Sequence, residues 1–486
     1  MVWCNFLHIF QPPHQLPDIL DRIVNESYRP LINGFLANPG DKAVININAG
    51  LTELFVNYGY DDLISGVKTL LARGQIELTE SAKYHAFLPM LSEAEIERQI
   101  KLNHDTNQEI YGEVYKPKGF FAPEMSFDPK IARVVSKMGY RYYLLDEIAA
   151  TGEVEKADRM KIYKIAGTRV SALFRSRRLS NLIMGAVVRS GPAFLESVGP
   201  DAVGYTLTAM DGETFGHHRP GLDKVLFEIY AGPQVESVLA SELLNKYPAG
   251  GEISPVPSTW ASSADEIAKG THFHLWNNPD NEIHRRQWEL TNLAFAVLGK
   301  VPPENPAYPE LRKLMDESLD SGQFWWASAN PWWSLEEIER GAWNTLEVVK
   351  KGSEVLGETE ALKEGQTLYG DIIKIAFDYQ RTGRMRKIIA DQKAFLRIPV
   401  KVSDPAAFKA AIEVLTREEK EACGRGEYEQ AIKWRDAAYK LKKSLDIYDT
   451  VAIIDILRAQ NRHQDFEDIL AKYKAEYDRL QKGQPE

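Results

Sequence analysis

Over the first 260 residues, short and nearly continuous apolar runs alternate with longer amphipathic stretches. "VWCNFLHIF", "AVININA", "IELTES", "GFFAPEM", "YRYYLLD" and "VGYTLTAM" read as strands of four to nine residues. Between several of them lie helical patterns: "ELFVNYGYDDLISGVKTLLARG", "EAEIERQIKLNHDTNQEIYG" and "PKIARVVSKMG". Near-continuous apolar strands need a sheet covered on both faces, and strand–helix alternation supplies one. The pattern therefore predicts a parallel sheet or barrel. In such folds the loops after the strand C-termini carry the chemistry. The polar residues that end these runs are the site candidates: His8, Gln11, Glu77, Glu124, Asp146, Asp211 and Glu213.

From about Asn281 to Ala390 the pattern becomes helical throughout, with "SLEEIE" offering Ser334 as a cap and Glu337 three residues on. "WNNPDNEIHRRQW" reads as a cap and helix whose His284 faces the barrel. The break "FLRIPVKVSDP" precedes a last charged, helical segment. The expected organisation is a catalytic barrel over residues 1–275 and a helical region over 276–395 that packs on it and completes a cleft. A C-terminal helical segment over 405–480 follows.

With 486 residues, 44% of them apolar, the chain is long enough for a large barrel plus an added domain. A net charge of −10 gives no support to binding a polyanion, so no nucleic acid is expected as a partner. Cys4 and Cys423 are far apart and imply no disulfide framework. The start "MVWCNFLHIFQPPHQ" has no basic leader, and no apolar run is long enough to span a membrane, so a cytoplasmic protein is expected.

Two carboxylates stand out. Glu124 follows an aromatic strand between Pro123 and Pro129; it is either a helix-proximal acid or a group held rigidly at a barrel mouth. Asp211 ends "VGYTLTAM" in Asp–Gly–Glu. Asp211 and Glu213, two apart in an extended chain, point to opposite sides, so each needs a partner from another strand. Glu124 offers Asp211 one. Glycosidic bond cleavage uses such a pair, about 5–5.5 Å apart for a covalent route and about 6.5–9.5 Å for direct attack by water.

"HIFQPPH", "GQIELTESAKYHAFLP", "GFFAPEMSFDP", "MDGETFGHH" and "STWASSADE…FHLWNN" resemble, in order, the five sequence regions of family 57 glycoside hydrolases. The resemblance covers about residues 1–390. It implies an α/β fold, an incomplete (β/α)7 barrel followed by an α-helical region, here with a C-terminal helical hairpin added. It also implies an α-glucan substrate and no cofactor. By the same resemblance Glu124 is the nucleophile and Asp211 the acid/base of a retaining mechanism. Hydrolysis and 4-α-glucanotransfer use the same residues. The first region departs from the family's His-x-His-Gln-Pro, since Phe10 replaces its second histidine. A non-catalytic α-glucan-binding or regulatory protein is therefore the alternative.

His8, Gln11, Glu77, His85, Glu213 and His217 are the expected sugar-binding polar residues, with Trp260 and Trp276 as stacking platforms. Each also has a plain structural role open to it, a satisfied strand-end hydrogen bond or core packing. The rival chemistry is a metal-bound water, as in similar barrels of polysaccharide deacetylases. The histidines here are scattered, however, so no metal is expected. "EYEQAIKWRDAAYKLKKSL" resembles the UVR motif, a helical hairpin that also serves as an association module. Leu415, Ile432, Tyr439 and Leu445 are an expected apolar stripe there, for a protein partner, self-association or the chain's own core.

Overall fold

The computed structural model describes residues 1–185, 190–199, 203–330, 332–388 and 405–442, with isolated residues between 468 and 479. β1 (Val2–Ile9) is buried from Trp3 onward, as a central barrel strand must be. It pairs in parallel with β2 (Ala43–Ile47) and with β8 (Tyr205–Asp211). β2 pairs with β3 (Ile76–Leu78). A second sheet holds β4 (Gly119–Phe120), β5 (Tyr142–Asp146), β7 (Ser171–Arg175), β6 (Ile162–Ile165) and β10 (Ala249–Ile253). Two thin joints close the sheets into one barrel. Glu80 pairs with Phe120 between β3 and β4, through Glu80 N to Gly119 O and Phe121 N to Glu80 O, both 2.9 Å. Ser176 N donates to Leu207 O at 2.7 Å between β7 and β8. The ring runs β1, β2, β3, β4, β5, β7, β8: seven parallel strands, the incomplete (β/α)7 barrel that the family resemblance implies. β6 lies outside the ring, antiparallel to β7, and β9 (Glu236–Ser237) pairs with the start of β1.

Helices cover the outside. Asp128 caps helix Pro129–Lys137 by accepting from Lys130 N, and Ser92 caps helix Glu93–Tyr111 by accepting from Glu95 N. The long pattern before β3 is two helices, Ala49–Asn57 and Asp61–Ala72, because Gly59 takes φ 73° between them. "GFFAPEM" yields only two strand residues, since Pro123 has no amide hydrogen to donate to a ladder and Glu124 and Met125 turn to positive φ.

The helices Glu282–Leu298, Tyr308–Ser318, Gly322–Ala327, Leu335–Leu356 and Glu360–Thr382 follow the barrel. They share one apolar core with the barrel helices Glu93–Tyr111 and Pro129–Lys137, joining Ile96, Ile131 and Val135 to Leu290, Ile338 and Val349. Ser334 caps its helix by accepting from Glu337 N. His284 does not face the barrel: its Nε2 lies 2.8 Å from Phe324 O, so it links two helices of this region.

Helices Pro405–Gly424 and Tyr428–Lys442 pack on one another about Ala410, Val414, Leu415, Ala422, Ala431, Trp434 and Ala438. The expected stripe is therefore split. Leu415 is buried, whereas Ile432 and Tyr439 are exposed; Leu445 lies outside the described residues. Among the described residues no helix is long and apolar enough to cross a membrane.

Candidate active site

The C-terminal ends of the ring strands converge on one mouth. β4 leads to Glu124, β5 ends in Asp146, β7 in Arg175 and β8 in Asp211. His8, near the end of β1, sits opposite Asp211 in register and opposite Asn46 of β2.

Glu124 stands at φ 64° and Met125 at φ 48°, left-handed backbone that costs a residue with a side chain and persists only where the surroundings impose it. Here the imposing group is Trp260. Its backbone N–H donates to Glu124 O at 3.2 Å and its indole Nε1 to Glu124 Oε2 at 3.0 Å. Oε1 has no partner among the described residues. Burial, then the charge of Asp211, push Glu124 up to about 8; the Trp260 hydrogen bond opposes them and Asp320 adds to them. Burial raises Asp211 to about 6 against the pull of Arg175. Arg175 is buried, with Nε 2.8 Å from Asp146 and its guanidinium carbon 5.6 Å from the Trp260 ring centroid. Asp146, also bonded by Arg177 and Ile148 N, anchors that cation.

Beside the pair runs a chain of hydrogen bonds. Asn46 Nδ2 donates to Thr79 O, which turns its Oδ1 to His8 Nδ1 at 2.9 Å. Nδ1 of His8 must then carry the proton, so Nε2 accepts from His85 Nε2 at 3.1 Å. His85 Nδ1 in turn accepts from Ser321 Oγ at 2.8 Å. Burial keeps both rings neutral, lowering His8 to about 4 and His85 further below its ordinary value. All four ring nitrogens are thus bonded within the protein. Phe10 lies over His85 with ring centroids 4.1 Å apart, so the residue that departs from the family pattern lines the same wall.

Glu213 ties the loop after β1 to the turn after β8. Its Oε1 accepts from Gln11 Nε2 at 3.1 Å, from Phe10 N at 3.3 Å and from the Tyr28 hydroxyl. Burial and then Asp211 raise it to about 7. Gly216 must be glycine in this turn, since a Cβ at its φ of 108° would sit 1.9 Å from Glu26 O. His217 pairs with Glu26 at 2.6 Å.

The mouth thus holds Glu124, Asp211, His8, His85, Glu213, Gln11 and Trp260, with His217 tied to Glu26 in the turn after β8, but two further expected residues lie elsewhere. Glu77 accepts from the hydroxyl of Tyr142, the first residue of β5, and its Oε2 lies 3.4 Å from Lys118 Nζ. It therefore stands at the opposite, N-terminal end of the barrel, because β3 ends only after Leu78. Trp276 is 1% exposed and stacks on Phe87 at 4.9 Å, so it fills a core instead of presenting a face to a sugar. Three contributors have no sequence signal of their own: Arg175, Asp320 and Ser321. Burial raises Asp320 to about 6. Among the described residues no group of three or more His, Cys, Asp or Glu side chains is placed to hold a metal ion.

The curated α-amylase of Pyrococcus horikoshii is 24% identical over 277 residues, which are 53% of this chain and 43% of that protein. The chain spans less than half the length of the curated relatives it matches. Among solved structures, the 4-α-glucanotransferase of Thermococcus litoralis superposes with a TM-score of 0.55 at 18% identity, covering 72% of this chain and 58% of that one. A family 57 branching enzyme from Thermococcus kodakaraensis gives 0.57 at 18% identity, covering 76% and 94%. These structural likenesses speak for the fold. Residues 6–245, about half the sequence, match the family model described as "Glycosyl hydrolase family 57"; with the seven-stranded barrel and its motif-bearing mouth, the chain belongs to that family.

Proposed function

We propose that this chain cleaves α-1,4-linked glucans by double displacement. The reading rests above all on Glu124 and Asp211, which share the barrel mouth closely enough for the charge of Asp211 to raise Glu124. Glu124, through its unpartnered Oε1, attacks the anomeric carbon while the proton of Asp211 passes to the departing glycosidic oxygen. The ester so formed is opened by an acceptor hydroxyl, whose proton returns to Asp211. With water as acceptor the outcome is hydrolysis; with a glucan hydroxyl it is transfer. With Asp211 raised to about 6 and Glu124 to about 8, the pair carries one proton from about pH 6 to about pH 8. The productive arrangement carries it on Asp211.

Product analysis on a maltooligosaccharide series tests this reading. Wild-type protein should yield shorter sugars, or redistributed lengths if a glucan hydroxyl is the acceptor. Glu124→Gln should lower the rate by about 10³-fold or more. Wild-type protein inert on every α-glucan overturns the enzymatic reading and leaves binding alone.

A further inference from the structure

A second concave site lies at the other end of the barrel. A cavity of about 660 Å³ is lined by Arg141, just before β5, Lys164 of β6, Arg169, Ser171 at the start of β7, and Glu252 of β10. β5 and β7 run from this end to Asp146 and Arg175 at the mouth. At about 3.3 Å per residue, the four steps along either strand separate the two sites by about 13 Å.

The lining is cationic in a chain whose net charge is −10. Arg141 and Arg169 are exposed, and neither guanidinium has a carboxylate partner among the described residues. Lys164 Nζ donates only to neutral atoms, Arg169 O at 2.8 Å and Ser171 Oγ at 2.9 Å. Its pKa is lowered, first by burial and then by Arg141, so these cations crowd one another. Three positive groups face one carboxylate, Glu252. Close by, Lys137 pairs with Glu97 and Lys246 with Glu236. A dianionic group would relieve the crowding and accept from two guanidinium forks, the geometry in which arginine binds phosphate best. The volume falls in the range of small-metabolite sites, and Asn245 and Tyr247 are among the other residues that line it.

We propose that this cavity binds a phosphorylated sugar, the phosphate held by Arg141, Lys164 and Arg169 and the sugar by Asn245 and Tyr247. The phosphate part rests on the charges alone, whereas the sugar part rests on the α-glucan reading above. Titration calorimetry on the full chain at low salt tests it, with glucose 6-phosphate, inorganic phosphate and glucose as probes. Glucose 6-phosphate should bind saturably at one site, and Arg141→Ala/Arg169→Ala should weaken it at least about tenfold while the melting temperature stays unchanged. Binding should also weaken as salt is raised. No saturable binding, or equal binding by the double variant, overturns the site. Inorganic phosphate binding as tightly as glucose 6-phosphate overturns the sugar assignment. Neither result touches the cleavage assay, so the two readings fail separately.

Discussion

In the proposed double displacement, with Glu124 as nucleophile and Asp211 as acid, these two carboxyls set the pH response of the site. Below about pH 6 both carboxyls are protonated and no nucleophile remains; above about pH 8 both are ionised and no acid remains. The kcat/KM profile on maltooligosaccharides should therefore be a bell with limbs near those values. Trp260→Phe removes the donor that favours ionised Glu124, and the alkaline limb should move up by about one pH unit. A stability measurement reads the same burial without activity. Because the pKa of Glu124 is raised on folding, its ionisation opposes folding: its contribution is complete below the ordinary value of 4.5 and is lost as pH rises through about 8. Glu124→Gln should therefore melt with wild type near pH 4 and about 2 °C higher at pH 9, a modest gain because water screens part of this half-buried carboxyl. Equal melting at pH 9 would show that the carboxyl is not desolvated. Both carboxylates were legible in the sequence because each sits in a motif at a strand end. Arg175 was not, since its effect on Asp211 exists only once β7 and β8 lie side by side.

The strand carrying Arg175 shows where element-level reading stops. "SALFR" is five residues long and follows a tight hairpin from β6, too short a run to stand out beside the other strands, yet it completes the ring. The six longer runs were readable because each is apolar and bounded by turn signals. At β4 the ring is thinnest, and Gly119 is the reason the joint closes: a Cβ there would fall 2.0–2.4 Å from ring atoms of Tyr142. Tyr142 is fully buried and bonded to Glu77, so it has nowhere to retreat. Gly119→Ala should destabilise the chain by about 2–3 kcal/mol in urea unfolding, the scale of an overpacked core. Unchanged stability would mean that the β4–β5 edge can open to make room.

At the scale of the molecule, the helical region reaches the wall beside the mouth through the bond of Ser321 to His85, and one ionic cluster joins it to a barrel helix. Arg98 of helix Glu93–Tyr111 bonds Asp316 of helix Tyr308–Ser318 at 2.6 Å, and Asp316 also pairs with Arg312 at 2.8 Å, which reaches back to Glu95 at 2.5 Å. Asp316 is 2% exposed and Arg312 7%, so removing the aspartate leaves a buried cation short of its partner. Four and five residues further on, Asp320 pairs with Ala86 across a short bridge and Ser321 bonds His85. The sequence makes the helices plain, but a bond between residues 236 positions apart has no local signature. If this geometry governs the chemistry, Asp316→Ala should do two things at once. It should cost about 3 kcal/mol of stability. It should also change the pH profile of kcat/KM, because Asp320 contributes to the raised pKa of Glu124 and Ser321 holds the wall beside it. Arg286→Ala, which breaks only exposed pairs with Glu289 and Asp371, is the control and should leave the profile in place. A destabilised Asp316→Ala variant with the wild-type profile would show that the helical region supports the barrel without shaping its mouth.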